Sequence, residues 1–280
     1  MIITHLFCGL GNQMFQYAAG RALSLRHGVP LAIDRRGLDL CGRSYGLHRF
    51  ALQAMDADPK HLPEPEIHRL PKQFKSEVCR NIFKEEAFRF YPEVLDLPDG
   101  TYLVGFWQSE RYFQDAEDII RRDFLFRDPP SPINAEYLKR IQKGISISVH
   151  IRRGDYLQPE YAQIGTCSLD YYRRAAKLIQ EQVGSDAKFY LFSDDSDWVR
   201  DNVRFHGEMH IVRHNDVTTD FEDLRLMSAC SHHIIANSTF SWWAAWLNPS
   251  VNKIVVAPAR WFRTDEADYR AVVPDRWWRI

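Results

Sequence analysis

Between residues 146 and 257 five short apolar runs alternate with four helix-like stretches. The runs are Ser146–Ile151, Lys188–Phe192, Met209–Val212, His233–Ala236 and Lys253–Ala257. Between them lie a helix capped by Ser168 and running through Gln182 to Gly184, and helices over Asp197–Val203, Asp220–Ser231 and Ser241–Leu247. Strands separated by helices join as crossovers rather than hairpins. This spacing therefore predicts a parallel sheet with helices on both faces. Ligands of such sheets sit beyond the carboxyl ends of the strands.

The first 34 residues carry the same pattern once. Met1–Phe7 reads as a strand and Cys8-Gly9-Leu10-Gly11 as a tight turn. Asn12 is placed to cap a helix over Gln13–His27, which Gly28 and Pro30 end, and Val29–Asp34 follows as a second strand. Residues 35–143 are less regular and rich in proline (Pro59, Pro63, Pro65, Pro71, Pro92 and Pro98). A strand over Thr101–Phe106 and a helix over Arg111–Asp123 stand out there. The proline-rich stretch Arg127–Ile133 reads as a linker. The expected architecture is α/β with two Rossmann-like domains, 1–130 and 131–280, facing each other across a cleft. Trp277, Trp278 and Arg279 are expected to pack back on the first domain, a peripheral membrane contact being the alternative.

Composition removes several functions. Lys and Arg number 36 against 37 Asp and Glu, so the balance does not favour a general nucleic-acid or anionic-membrane binder. No run of 18 apolar residues is present, and the opening residues do not read as a secretory signal. The cysteines (Cys8, Cys41, Cys79, Cys167 and Cys230) are odd in number and scattered, which fits a reducing compartment. A cytoplasmic protein is expected.

Three polar clusters follow apolar runs, where a ligand is expected. His150-Ile151-Arg152-Arg153-Gly154-Asp155 places two guanidiniums, which bind phosphate oxygens in pairs, at a strand end. Alternation sends them to opposite sides, so one is expected to face a ligand and the other a carboxylate. Asn237-Ser238-Thr239-Phe240-Ser241 brings three hydroxyls and an amide to a helix N-terminus, a setting that suits phosphate. Ser193-Asp194-Asp195-Ser196-Asp197 imitates a metal motif, but it also suits helix capping, and no metal is expected. Cys230, His232 and His233 read as structural, and Trp242, Trp243 and Trp246 as core. Asp223 is a carboxylate that could accept from the N1–H and amino group of guanine. Gly9-Leu10-Gly11 with Asp34 is a partial dinucleotide fingerprint whose third glycine is replaced by Met14. Asn12 and Gln13 could instead hold phosphate or sugar hydroxyls.

Taken together, GLGNQMFQYAAGRAL (9–23), VHIRRGDY (149–156), CSLDYYRRA (167–175), FSDD (192–195), DLRLMSAC (223–230) and NSTFSWWAAWLN (237–248) resemble the α-1,2-fucosyltransferases of glycosyltransferase family eleven. The resemblance implies a GT-B-like, inverting, metal-independent enzyme without cofactor. It would move L-fucose from GDP-β-L-fucose to the 2-hydroxyl of a galactose-terminated glycan. It also implies donor binding by the second domain, with Arg152 on the β-phosphate and His150 and Asp155 shaping that loop. Asp223 would read guanine. Ser238, Thr239 and Ser241, with Asn237, Ser193 and Asp194, would surround the diphosphate, and Gly11, Asn12 and Gln13 would reach it from the first domain. Asp155, His150 and Glu160 are the candidate bases. The other readings are a catalytically inert sugar-nucleotide binder and an NAD-dependent oxidoreductase built on Gly9, Gly11 and Asp34.

Overall fold

The computed structural model describes residues 1–63, 81–263 and 269–280. Pro65, Pro71 and Cys79 lie outside the described residues. The chain divides into two compact units, Met1–Asp128 with Ala267–Pro274, and Pro129–Glu266 with Asp275–Ile280. Each is α/β, the class expected.

In the first unit five parallel strands lie in the order β3 (Met55–Asp56), β2 (Leu31–Asp34), β1 (Ile2–His5), β5 (Thr101–Val104) and β4 (Asn81–Lys84). β3 and β4 have no counterpart in the sequence reading, because β3 is exposed and β4 only half-buried, so neither stands out as a buried apolar run. The first helix, α1 (Leu10–His27), starts earlier than expected. Its N-cap is Gly9, so Asn12 lies within the first turn and caps nothing. The unusual backbone of the preceding turn falls on Cys8 (φ 66°), whereas Gly9 is extended (φ −72°). Gly28 ends the helix in the left-handed region (φ 61°), where glycine carries no Cβ penalty. The helix expected over Arg111–Asp123 is two 3₁₀ turns followed by α3 (Glu117–Asp123), after the short α2 (Arg36–Leu40).

The core of this sheet contains a polar knot. Asp34 accepts from the Tyr102 hydroxyl at 2.6 Å and from Arg36 Nε and Nη2 at 3.0 and 2.8 Å, and lies 3.3 Å from His5 Nδ1. Burial opposes its charge, but the bonds from His5, Arg36 and Tyr102 outweigh it and hold the carboxyl well below the usual range. The acid on which a dinucleotide reading depends is thus committed inside the fold.

The second unit has six parallel strands in the order β11 (Trp278–Arg279), β10 (Val255–Ala257), β9 (His232–Ile234), β6 (Ser146–Ile151), β7 (Lys188–Ser193) and β8 (Met209–Ile211). β6 is central and wholly buried. Its apolar side chains Ile147, Val149 and Ile151 join the core, while Ser148 bonds to His233 Nδ1 at 2.8 Å. The linker region is partly helical. Pro132 occupies the first position of α4 (Pro132–Ile141), where proline's missing N–H costs nothing.

The helix capped by Ser168, α5 (Leu169–Val183), is followed by α6 (Ser196–Asn202), α7 (Asp220–Ser228) and α8 (Thr239–Leu247). Ser168 Oγ accepts from Tyr171 N at 3.1 Å. The Tyr171 hydroxyl spans two neighbouring strand ends, donating to Ile235 O and Val256 O. Trp242, Trp243 and Trp246 of α8 are fully buried, as core residues should be. The C-terminal residues correct the sequence reading. Trp278 and Arg279 add the sixth strand beside β10, and Trp277 packs on Trp242 at 5.4 Å, so these residues build the second unit.

Candidate active site

The loop leaving β6 is organised around Arg152. Its Nε and Nη2 donate to the two oxygens of Asp155 at 3.0 and 2.8 Å, and its Nη1 lies 3.2 Å from Asp194 Oδ2. Asp194, the residue after β7, also accepts from the Arg153 N–H at 2.9 Å. Arg153 Nε sits 3.2 Å from Asp195, and its guanidinium lies 3.6 Å from the centre of the Trp198 ring. Both arginines are therefore ion-paired, where alternation had predicted one. Burial disfavours the Arg152 charge, but Asp194 and Asp155 raise its pKa above the ordinary value.

Two residues outside the sequence-based list complete this arrangement. A Cβ on Gly154 would stand 2.5 Å from Asp194 Oδ2, so only glycine lets that carboxylate approach. The Tyr156 hydroxyl donates to Asn237 O at 3.1 Å, and its ring lies 5.5 Å from the Arg152 guanidinium. With the His150 ring 5.7 Å from Phe240, this brings the loops after β6 and β9 together. The signal for both was inside the Arg-Gly-Asp-Tyr run, but nothing in sequence says which neighbour a glycine must admit.

At the N-terminus of α8, Ser238 is the N-cap residue, yet its hydroxyl makes no capping bond. Thr239 follows in the first turn, whose backbone N–H groups lack intrahelical partners. The other members of this group serve the fold. Asn237 donates to Ile164 O, Gly165 O and Trp261 O and accepts from Cys167, so its amide ties three segments together. The Ser241 hydroxyl donates to Ser238 O at 3.2 Å, and Ser193 Oγ donates to Ile151 O and accepts from Asp195 N.

The candidate bases separate in the same way. Asp155 is the bidentate partner of Arg152. His150 is buried with Nδ1 unpartnered among the described residues, and burial, with the Arg152 charge, pushes it down to about 3. That leaves a neutral imidazole of low basicity. Glu160 is exposed on the 3₁₀ turn Pro159–Tyr161.

Asp223, in the first turn of α7, accepts from Asn215 Nδ2 at 2.7 Å. Asn215 is itself paired with Asn134, each amide donating to the other at 2.9 and 3.1 Å, and His214 Nε2 lies 2.8 Å from Asn134 Oδ1. Burial, with the nearby charges of Asp220 and Glu222, pushes Asp223 up to about 7.

In the first unit Gln13 is spent on its own loop. It donates to Cys8 O and Ser44 O and accepts from Gly46 N. Gly11 is buried in the first turn of α1. Asn12 accepts from Gln108 Nε2 at 2.7 Å. The metal-like run is also used internally. Asp195 caps α6 through Trp198 N, and Asp197 pairs with Arg200 and Arg213. Among the described residues no group of three or more His, Cys, Asp or Glu could hold a metal ion, and no helix is long and apolar enough to cross a membrane.

Two parallel α/β sheets, with an ion-paired arginine beside a helix N-terminus at the strand ends of one, form a framework suited to a phosphorylated ligand. The family model for glycosyl transferase family 11 matches residues 74–278. An alpha-1,2-colitosyltransferase of Escherichia coli is 33% identical over 100% of this chain and 99% of its own length. The O-antigen biosynthesis glycosyltransferase WbnK of Escherichia coli is 31% identical over 91% and 92%. The chain belongs to glycosyl transferase family 11. Its fold is similar to that of the fucosyltransferase NodZ from Bradyrhizobium, with a TM-score of 0.50 at 16% identity over 89% of this chain and 93% of the other.

Gly154→Ala is expected to cut glycosyl transfer at least about tenfold by displacing Asp194 from Arg152, with the circular dichroism spectrum unchanged. Full transfer by that variant would show that the carboxylate need not sit there. Asp223 supplies a second test. A carboxyl raised from 3.8 to about 7 binds its proton more tightly in the folded chain, so its stabilising contribution is complete below about pH 4 and is lost as pH rises through 7. Asp223→Asn keeps an acceptor for Asn215. It should raise the melting temperature at pH 8 and flatten the wild-type decline between pH 5 and 8. Parallel pH profiles for the two proteins would contradict the assignment.

Proposed function

We propose that this glycosyltransferase moves L-fucose from GDP-β-L-fucose to the 2-hydroxyl of a galactose residue, with inversion and without a metal. The reading rests above all on one observation, the Arg152 guanidinium fixed at the end of β6 beside the N-terminus of α8. The bond from fucose C1 to the phosphate oxygen breaks while the acceptor oxygen attacks from the opposite face. The leaving GDP gains negative charge, and a preorganised guanidinium and the free N–H groups of a helix end stabilise it most in the transition state. Arg152 is assigned to the β-phosphate, and the Ser238 and Thr239 hydroxyls to the diphosphate. Asp223 is assigned to guanine N1–H and the amino group, and it accepts from both together only when ionised. GDP affinity should therefore rise with pH through 7. Of the three candidate bases, Glu160 is the one whose carboxylate is not committed to Arg152, and it is assigned to the acceptor proton. The 1–130 domain is assigned to the acceptor and the 131–280 domain to the donor.

The related colitosyltransferase supports a second reading of the sugar. Colitose is L-fucose without the 3-hydroxyl. A pocket that hydrogen-bonds that hydroxyl would reject GDP-colitose by several orders of magnitude, whereas an apolar pocket would prefer it.

The deciding experiment is GDP release from GDP-fucose and GDP-colitose, with and without lactose, in EDTA. Lactose-dependent release from GDP-fucose is the expected result. Release only from GDP-colitose would change the donor, and binding of both without turnover would favour an inert binder. Within the same assay, Arg152→Lys should lower kcat by roughly 10²–10³, because an ammonium cannot replace the bidentate fork. Glu160→Gln should lower kcat by roughly 10² with GDP affinity unchanged, and near-normal turnover would remove Glu160 as base.

A further inference from the structure

The donor assignment leaves unused a cluster in the first unit, at the carboxyl ends of three adjacent strands in the order β1, β5, β4. Phe7 follows β1, Glu85 follows β4, and Phe106 follows β5. Phe7 meets Phe106 edge-on at 4.9 Å, and Phe88 lies 5.8 Å from Phe106. All three rings are only half-buried. The residues after Phe7 and Phe106, Cys8 and Trp107, both adopt left-handed backbone, with φ of 66° and 55°. Such strain in a bulky non-glycine residue persists where surrounding structure enforces it, and it gathers at ligand sites.

Polar groups adjoin the rings. Gln108 donates through Nε2 to Asn12 Oδ1 at 2.7 Å, while its own carbonyl Oε1 is buried and meets no partner among the described residues. Gln16 accepts from Phe7 N at 3.1 Å, and its Nε2 is likewise buried and unpartnered. Glu85 accepts from Phe106 N at 2.5 Å, and burial pushes it up to about 7, so near neutrality it can both accept and donate.

We propose that this cluster is the binding surface for the acceptor sugar, a galactoside whose apolar C–H face lies on the rings and whose vicinal hydroxyls bond to Asn12, Gln108 and Glu85. A hydroxyl both donates and accepts, which suits a planar amide pair whose one carbonyl is unpartnered and a carboxyl that can hold or release its proton. A few fixed polar groups on an aromatic bed is the usual composition of a small-molecule site. The named side chains carry no positive charge and one acid, which suits a neutral sugar and not a diphosphate. This inference rests on the transfer reading above and names the place where the acceptor binds.

The test is acceptor kinetics and saccharide NMR on the full chain. In Phe106→Ala and Gln108→Ala the KM for the acceptor that the wild type uses should rise at least tenfold. Saturation-transfer signals from methyl β-galactoside should fall, while the Kd for GDP stays at the wild-type value. Gln108→Ala removes no core side chain volume from the rings, so it keeps the test valid if Phe106→Ala fails to fold. Unchanged acceptor KM and undiminished galactoside signals in Gln108→Ala, with normal GDP binding, would overturn this inference and leave the transfer reading standing. Failure of the wild type to bind GDP would overturn the transfer reading itself. Methyl β-galactoside binding to the wild type, lost in Gln108→Ala, would still support the site in that case.

Discussion

Arg152 and its two carboxylates set the geometry of the second unit's strand ends. A guanidinium drawn into partly buried surroundings needs compensation, and a single carboxylate leaves it free to swing. Here Asp155 takes one edge and Asp194 the other, and Asp194 also holds the Arg153 backbone. The loop after β6 and the loop after β7 are thereby locked to one another. The lock depends on Gly154, whose missing Cβ is what lets Asp194 in. Tyr156 then carries the arrangement to the end of β9. A cation held in place by surrounding charges loses little freedom when an anion arrives, which is the condition for electrostatic catalysis without reorganisation.

The α/β class and the strands β6 to β10 with their helices were legible because apolar runs alternate there with helix-like stretches. β6 was read to the residue. The first unit was read less well for an opposite reason. β3 is Met55–Asp56, both exposed, and the segment after α1 is held by 3₁₀ turns and side-chain bonds rather than by periodicity. The C-terminal strand was missed because Trp278-Arg279 is two residues long and finds its partner, β10, only in three dimensions.

The candidate site was legible as places in the fold more than as roles. Sequence located the polar loops after β6, β7 and β9, since charges and hydroxyls at the end of an apolar strand need a reason. It could not say which of those groups the fold would use for itself. Gln13, Asn237, Ser193 and Asp34 all carry the right chemistry for a ligand, and each is consumed by internal hydrogen bonds. An amide or carboxylate near a tight turn has an equal chance of bracing the turn, because both tasks reward the same donors and acceptors.

That competition gives a way to sort the polar residues. A side chain whose donors and acceptors are met within the fold loses them all if a ligand takes its place, so it is a costly group to recruit. A buried polar atom left unmet already carries that cost, and a ligand bond to it is nearly all gain. By this measure the amide of Gln13 and the carboxylate of Asp34 recede. The buried and unmet Gln108 carbonyl stands forward in the first unit, and in the second Ser238 stands at a helix start without a capping bond. The two sets differ in chemistry. The second unit brings carboxylate-paired guanidinium groups and a helix N-terminus to its strand ends, and the cluster in the first brings amides, rings and one carboxyl. Those are the two chemistries that the proposed transfer from an anionic donor to a neutral sugar calls for.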